Sequence, residues 1–453
     1  MAAQILAICI FVGMFLLIIL DKFERYYITL ASGALVLALV FGVCMHSMSA
    51  IWGTLNLPSI FTSGFWYGAS EEGNSGINWS TIFFIAGMMI MVEGLGKAGF
   101  FRWLCLTLAK LVRYRIVPLL VCFMVLSAVL SMFIDSITVV LFLATVTLEL
   151  AQTMKFNPIP MILSEVFCAN LGGAATMCGD PPNIIVGTSL GYTFFDFISN
   201  TGVAVAICFV LVLIYFVLCF RKRLLRDEKN SGAAVCPQPG TAITNRPAFL
   251  LSAGVFLLAV ILLATHAQTK LTVACIGVIV AALSLVMIGC TSGGKAVLEI
   301  IKGVDYKTLL FFIGLFVSVA GLKETGVLDV IARFITTVSG GNAAIIVVII
   351  LWISAVTSAF VDNIPFAATM IPVVRSIAAA SGIDMGVLAW ALSLGTDLGG
   401  NATPIGASAN VVGTSVAAKG GYPIRWGVYC KYCVGATVLV IAVSMGYLFL
   451  RYL

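Results

Sequence analysis

The stretch Asn170-Leu-Gly-Gly-Ala-Ala-Thr-Met-Cys-Gly-Asp-Pro-Pro-Asn-Ile-Ile-Val-Gly-Thr-Ser189 decides the fold of this chain. Its glycines and prolines interrupt an apolar segment that would otherwise continue as one helix. The interruption recurs 227 residues later, as Asp397-Leu-Gly-Gly-Asn-Ala-Thr-Pro-Ile-Gly-Ala-Ser-Ala-Asn410. Gly172, Gly173, Thr176, Gly179 and Asn183 meet Gly399, Gly400, Thr403, Gly406 and Asn410. In hydrocarbon, the backbone groups freed by a broken helix are tolerated only where protein buries them or they line a watery cavity. Paired broken helices in the two halves of a chain point to the binding site of a transporter. The candidate substrate-binding set is therefore Asn170, Gly172, Gly173, Thr176, Gly179, Asp180 and Asn183 in the first break. In the second it is Asp397, Gly399, Gly400, Asn401, Thr403, Gly406, Ser408 and Asn410.

Composition gives the class. Of 453 residues, 61% are hydrophobic and only 10% charged, with a mean hydropathy of +1.13; a soluble chain carries about a quarter charged residues. Apolar runs near the ~20 residues needed to cross a bilayer recur at 5–20, 203–220 and 273–288. The expected fold is an all-α polytopic membrane protein with spans at 3–20, 26–48, 79–96, 201–220, 248–265, 271–289, 308–322 and 427–449. Re-entrant hairpins are expected at 116–150 and 343–375, and broken transmembrane helices at 161–190 and 386–418. A cytoplasmic linker, 221–247, separates an N-terminal half, 1–220, from a C-terminal half, 248–453. Its cluster Arg221, Lys222, Arg223 and Arg226 marks the inside. With both hairpins turning back, twenty of the 25 basic residues, including Lys22, Arg25 and Lys307, fall on that side. The loop 49–78 holds Glu71 and Glu72 but no Lys or Arg, so it is expected outside. The net charge of +6 thus reflects membrane orientation and not a nucleic-acid partner.

The repeat extends beyond the breaks. Thr81-Ile-Phe-Phe-Ile-Ala-Gly87 aligns with Thr308-Leu-Leu-Phe-Phe-Ile-Gly314 at the same offset. Ser131-Met-Phe-Ile-Asp135-Ser-Ile137 aligns with Ser358-Ala-Phe-Val-Asp362-Asn-Ile364. The charge-derived topology places the second copy upside down relative to the first, the arrangement of inverted-repeat transporters with a midplane site.

Asp135 and Asp362 lie at matching hairpin tips, deep in apolar sequence. A carboxylate at the bilayer centre costs at least ~2.5 kcal/mol on insertion scales and marks an ion or proton pathway. It also suits a helix cap after the turn, and one residue can do both. Ser136, Thr138 and Asn363 add neutral oxygens, a donor set that fits Na⁺, or a proton carried on the Asp. Asp180 and Asp397 do not correspond: Asp180 aligns with Ala407, and Asp397 with Asn170. Asp180 also reads as a turn residue ahead of Pro181-Pro182. Glu93 and Glu165 are expected to be paired or water-facing. No Lys or Arg falls in the expected interior, with Arg375 the nearest. The glycine pairs therefore read as places where backbone comes close to a ligand.

These residues carry a family resemblance. Phe133-Ile-Asp-Ser-Ile-Thr138, Ala169–Ile185 with its Gly-Asp-Pro-Pro-Asn run, and Val361-Asp-Asn-Ile-Pro-Phe-Ala-Ala-Thr-Met-Ile-Pro372 resemble the ion-transporter superfamily. Within it they look like the arsenite-permease / sodium–proton-antiporter D branch, nearest to melanosomal P-protein-like permeases. The resemblance implies a homodimer in which a domain of hairpins and broken helices moves, elevator-fashion, against a scaffold. Dicarboxylate-transporting cousins carry Ser-Asn-Thr at the hairpin tips, where this chain has Asp135-Ser-Ile and Asp362-Asn-Ile. The expected function is a secondary active ion transporter. Asp135 and Asp362 are its candidate Na⁺ or proton ligands, and it has no cofactor beyond that coupling ion. The alternatives are cation-coupled anion or carboxylate uptake, as of citrate or dicarboxylates, and a passive ion channel. No nucleophile–base set suggests an enzyme. The expected partners are a small inorganic or organic ion and the lipid bilayer, with a bacterial inner membrane as the location.

Overall fold

The computed structural model describes residues 1–20, 22–68, 76–230 and 237–453. Glu71 and Glu72 lie outside the described residues. The first half contains α1 (Ala2–Leu20), α2 (Arg25–Leu35), α3 (Trp79–Lys97), α4 (Phe100–Leu111), α5 (Ile116–Ser131), α6 (Ser136–Met154), α7 (Ile159–Gly173), α8 (Pro181–Leu190) and α9 (Val203–Asn230). The second contains α10 (Arg246–Thr269), α11 (Val273–Ser292), α12 (Tyr306–Glu324), α13 (Val327–Val338), α14 (Ala343–Ser358), α15 (Asn363–Ser381), α16 (Met385–Gly399), α17 (Ser408–Lys419) and α18 (Trp426–Tyr452). Among the described residues, ten helices are long and apolar enough to cross a membrane. Many of the exposed side chains on α1 and α9 are Leu, Ile and Val, a surface suited to lipid and not to water.

Each expected span has its helix. Two differences concern the connections. The linker begins later than charge alone suggests, because α9 runs on through Arg221–Arg226 to Asn230; Lys, Arg, Leu and Glu are all good helix formers. The short helices α4 and α13 follow α3 and α12 after Gly99 and Gly326, both at positive φ. Each is tied to the second arm of its hairpin at matching positions. Arg102 of α4 pairs with Glu149 of α6 at 2.6 Å, and Ser376 of α15 donates to Asp329 of α13 at 2.7 Å.

The helices cross tightly through small residues, as apolar helices in lipid must, since packing and not water drives their association. α3 packs on α11, and α2 on α12, so the halves exchange a helix. A Cβ on Gly87 would strike the backbone of Gly277, and one on Gly314 the backbone of Thr29. α5 packs on α7 and α14 on α16 in the same way, with Gly172 against Ala128 and Gly399 against Ala355. The close approach at Gly172 and Gly399 is thus to a neighbouring helix, a packing reason for glycine at both positions. Backbone cannot yield as a side chain can. Gly314→Val should therefore lose about 3 kcal/mol or more of stability. Gly13→Val, which meets nothing within 4 Å, should be near neutral. Thermal unfolding of both variants in detergent checks this, and equal melting temperatures would refute the crossing.

Candidate functional site

Each broken helix is held by one asparagine. Asn183 donates from Nδ2 to the Gly173 and Thr176 carbonyls, both at 3.1 Å. Asn410 does the same for Gly400 and Thr403, both at 2.8 Å. The hydroxyls of Thr176 and Thr403 donate across to Met132 O and Ala359 O, one in each hairpin. The Oδ1 of Asn183 accepts from Ser393. Asn170 joins the halves, donating to Asn401 Oδ1 at 2.9 Å and Asn410 Oδ1 at 2.8 Å. Gly179 and Gly406 lie where a Cβ would strike the Gly173 and Gly400 carbonyls, so the chain folds back on itself there.

Both hairpin-tip acids are helix caps. Asp135 caps α6, accepting from Thr138 N at 3.0 Å and Thr138 Oγ1 at 2.6 Å. Asp362 caps α15, accepting from Ile364 N at 3.3 Å. Their surroundings then diverge. Asp362 Oδ2 accepts from Ser408 Oγ at 2.9 Å and from Arg25 Nη1 at 2.6 Å. The half-buried Asp135 has no basic partner among the described residues. Arg25 in this position corrects the expectation that no Lys or Arg enters the interior. Arg375 donates to Ser189 O.

The acids of the breaks sit deeper. Asp180 is 2% exposed and precedes α8 without capping it. Its Oδ1 accepts from Ser136 Oγ at 2.6 Å, while Oδ2 has no hydrogen bond. The turn role expected of Asp180 thus belongs to its backbone, and its side chain faces the first hairpin tip. Asp397 is fully buried, and neither of its oxygens receives a hydrogen bond among the described residues. A carboxylate in such a place needs a proton or a counter-cation. Asn363 is buried beside the second tip. Glu93 pairs with Lys97 at 3.7 Å, as expected. Glu165 is fully buried, its Oε1 accepts from Thr147 and its Oε2 has no hydrogen bond among the described residues, so it is neither ion-paired there nor water-facing.

A cavity of about 660 Å³ reaches Asp135, Thr138, Gly179, Asp362 and Ser408. Phe84 and Phe311, at matching positions of α3 and α12, form its sides, with Lys22, Glu24, Asp305 and Lys307 also on its wall. A smaller one, of about 140 Å³, is lined by Asn78, Thr188, Lys323 and Arg375. The N-terminal end of α3 and the C-terminal end of α12 therefore meet the small cavity, and their opposite ends the large one. At the small cavity, Asn78 Nδ2 and Thr81 Oγ1 each lie 2.9 Å from Thr188 Oγ1. At the matching positions, Asp305 and Thr308 bond each other and line the large cavity.

Sequence reasoning missed Arg25, Ser393 and the Asn78–Thr188 contact. The Arg25–Asp362 bond spans 337 residues, and nothing local to Arg25 signals it.

Residues 15–395 match the citrate transporter family. The chain belongs to that family. This citrate-transporter-family chain is 32% identical over 451 residues to an uncharacterized transporter of Mycobacterium bovis, covering 99% of each. It is 28% identical over 450 residues to the P protein of Mus musculus, covering 83% of this chain and 54% of that one. Membership of the ion-transporter superfamily and kinship with the P protein both stand. In fold it is similar to the YdaH transporter of Alcanivorax borkumensis, with a TM-score of 0.57 at 14% identity over 94% of this chain and 96% of that one. It is also similar to MtrF of Neisseria gonorrhoeae, of a class described as antimetabolite efflux pumps. There the TM-score is 0.56 at 12% identity over 90% of this chain and 86% of MtrF. The family member described here is an integral membrane transporter.

A Cβ at Gly173 would lie 2.5 Å from Asp180 Oδ2, whereas one at Gly400 meets its nearest neighbour at 3.0 Å. Gly173→Ala must displace the Asp180 carboxylate, so transport should fall at least roughly tenfold while the protein elutes as a folded species. Gly400→Ala should be milder. Wild-type flux through Gly173→Ala would show that the position of Asp180 is irrelevant.

Proposed function

We propose that this transporter is a secondary active ion transporter coupled to Na⁺ or H⁺. Asp135 and Asp362 take the coupling cation, and the broken-helix residues around Asn170, Asp180, Asn183, Asp397 and Asn410 meet the substrate. The observation that carries this reading is the placing of both tip carboxylates on one large cavity that ends at the breaks. Three basic and five acidic side chains line that cavity, and Glu93 among the acids is paired with Lys97. The remaining excess of carboxylate attracts cations. Cation-coupled uptake of a carboxylate is the second reading, favoured by the family and by Arg25 and Lys307 on the same wall.

The antiparallel course of α3 and α12 between the two cavities, and the matched hydrogen bonds of Asn183 and Asn410, support an inverted repeat. The closed Asn78–Thr188 contact at one end and the open cavity at the other support alternating access, with hairpins and broken helices as the moving part. A homodimer and a bacterial inner membrane belong to the same reading.

Two experiments test it in proteoliposomes. In the first, flux is measured with Na⁺ and pH varied separately. Under sodium coupling the wild type requires Na⁺ and Asp135→Asn has lost that requirement. Under proton coupling Asp135→Asn stops pH-driven flux, with no Na⁺ requirement in either protein. Full gradient-driven accumulation by both Asp135→Asn and Asp362→Asn would reduce these acids to caps. In the second, a disulfide between Asn78→Cys and Thr188→Cys should arrest transport until it is reduced. Undiminished flux through the cross-linked protein would show that this contact does not open during transport.

A further inference from the structure

The two hairpin tips are equivalent in sequence and unequal in chemistry. Asp135 accepts only from Thr138 and looks onto the cavity. Asp362 accepts from the Ile364 amide, the Ser408 hydroxyl and the Arg25 guanidinium, and its side chain is 6% exposed. Arg25 is the first residue of α2, which packs chiefly on α1 and α12. Its side chain is 35% exposed and lies on the cavity wall. The ion pair therefore joins α2 to the second hairpin tip at the edge of the large cavity.

We infer that Arg25 is a tethered competitor for the coupling cation, occupying Asp362 until that cation displaces it. This rests on the reading of Asp362 as a cation ligand. A guanidinium at 2.6 Å supplies the positive charge and the donor that a bound Na⁺ or a proton would otherwise supply, so the two cannot share Oδ2. The neighbourhood allows the exchange. Glu24, next to Arg25, pairs with Lys307 at 2.7 Å. Asp135, Asp305 and Asp180 are the other acids around Asp362, and each offers the displaced guanidinium or the arriving cation a negative field. The pair is partly open to the cavity, so water can solvate Arg25 once it is released. Arg25 is thus a specificity-determining residue that sets how much cation is required for the second tip to load.

Arg25→Gln and Arg25→Lys, reconstituted in proteoliposomes, test this. The quantity read is the half-saturating concentration of whichever ion drives wild-type flux: Na⁺ at fixed pH, or protons without Na⁺. Arg25→Gln should lower that concentration roughly tenfold, between the weak effect of an exposed pair and the strong effect of a buried one. Arg25→Lys, which keeps the charge, should stay near wild type. In an Asp362→Asn background the Gln substitution should change nothing further. An unchanged half-saturating concentration in Arg25→Gln, with only the maximal rate reduced, would make the pair structural and overturn the inference. A loss of affinity for an anionic substrate such as citrate, with the cation response untouched, would overturn it too by making Arg25 an anion anchor. If Arg25→Gln does not fold, Arg25→Met, which keeps an unbranched stem and removes the charge, is read in its place: the same roughly tenfold lowering supports competition and an unchanged half-saturating concentration overturns it. A wild type with no cation dependence would instead sink the coupled-transport reading itself.

Discussion

Where a helix breaks away from water, every carbonyl it frees must find a donor inside the protein. Here four freed carbonyls find two: Asn183 takes those of Gly173 and Thr176, and Asn410 those of Gly400 and Thr403. The rest of the site depends on this. Fixing the turn presents the threonine hydroxyls to the hairpins, and so sets where Asp135 and Asp362 lie. Asn170 then bridges to Asn401 and Asn410, so the two breaks form one buried polar centre and not two separate kinks. The centre is not closed by these bonds alone: Asn170 Oδ1, Asn401 Nδ2, Asp180 Oδ2 and both Asp397 oxygens are buried without a hydrogen bond among the described residues, and unpaired polar groups in so dry a place are costly.

Much of this was legible because membrane helices leave a strong mark in sequence. The spans, hairpins and breaks emerge within a few residues of their helices, since apolar runs and Gly or Pro interruptions are local properties. The helices α4 and α13 were not placed, being short and half polar, and α9 overran the expected linker because helix-forming charged residues look like loop when only hydropathy is read. The glycines show the limit most clearly. Sequence says that Gly172 and Gly399 are small for a reason, but only the structure shows that the reason is the backbone of Ala128 and Ala355. Arg25 was assigned to the cytoplasmic edge by its charge; its partner is 337 residues away, and no periodicity links them.

The repeat fixes positions more faithfully than chemistry. Backbone-serving groups are matched across it: both asparagines and both threonines make equivalent bonds, and both tip aspartates cap the helix that follows, Asp135 at Thr138 N and Asp362 at Ile364 N. Groups that carry charge are not matched. Asp180 stands opposite Ala407, Asp397 opposite Asn170, and Arg25 attends one tip only. A two-fold scaffold with identical charges would bind the same ligand twice. Placing Asp180 beside the first tip and Arg25 beside the second gives each side of the centre its own affinity, as a coupled transporter needs if substrate and driving ion are to be told apart.

The charge at the second tip also bears on movement. On the proposed reading the hairpins travel relative to α2, and Asp362 cannot then keep Arg25. Leaving a nearly buried carboxylate without a counter-charge costs several kcal/mol, enough to make such a transit rare by a factor of hundreds or more, at ~1.4 kcal/mol per tenfold. A bound cation or proton removes that cost and lets the loaded tip move where the empty one does not. Arg25, held back with α2, would then have Glu24 beside it and Asp305 on the same cavity wall and return to Asp362 only when the tip comes back empty. The same ion pair that stabilises the observed arrangement thereby forbids the uncoupled step. On the proposed reading, a single arginine beside one of the two tips would enforce coupling without touching the substrate.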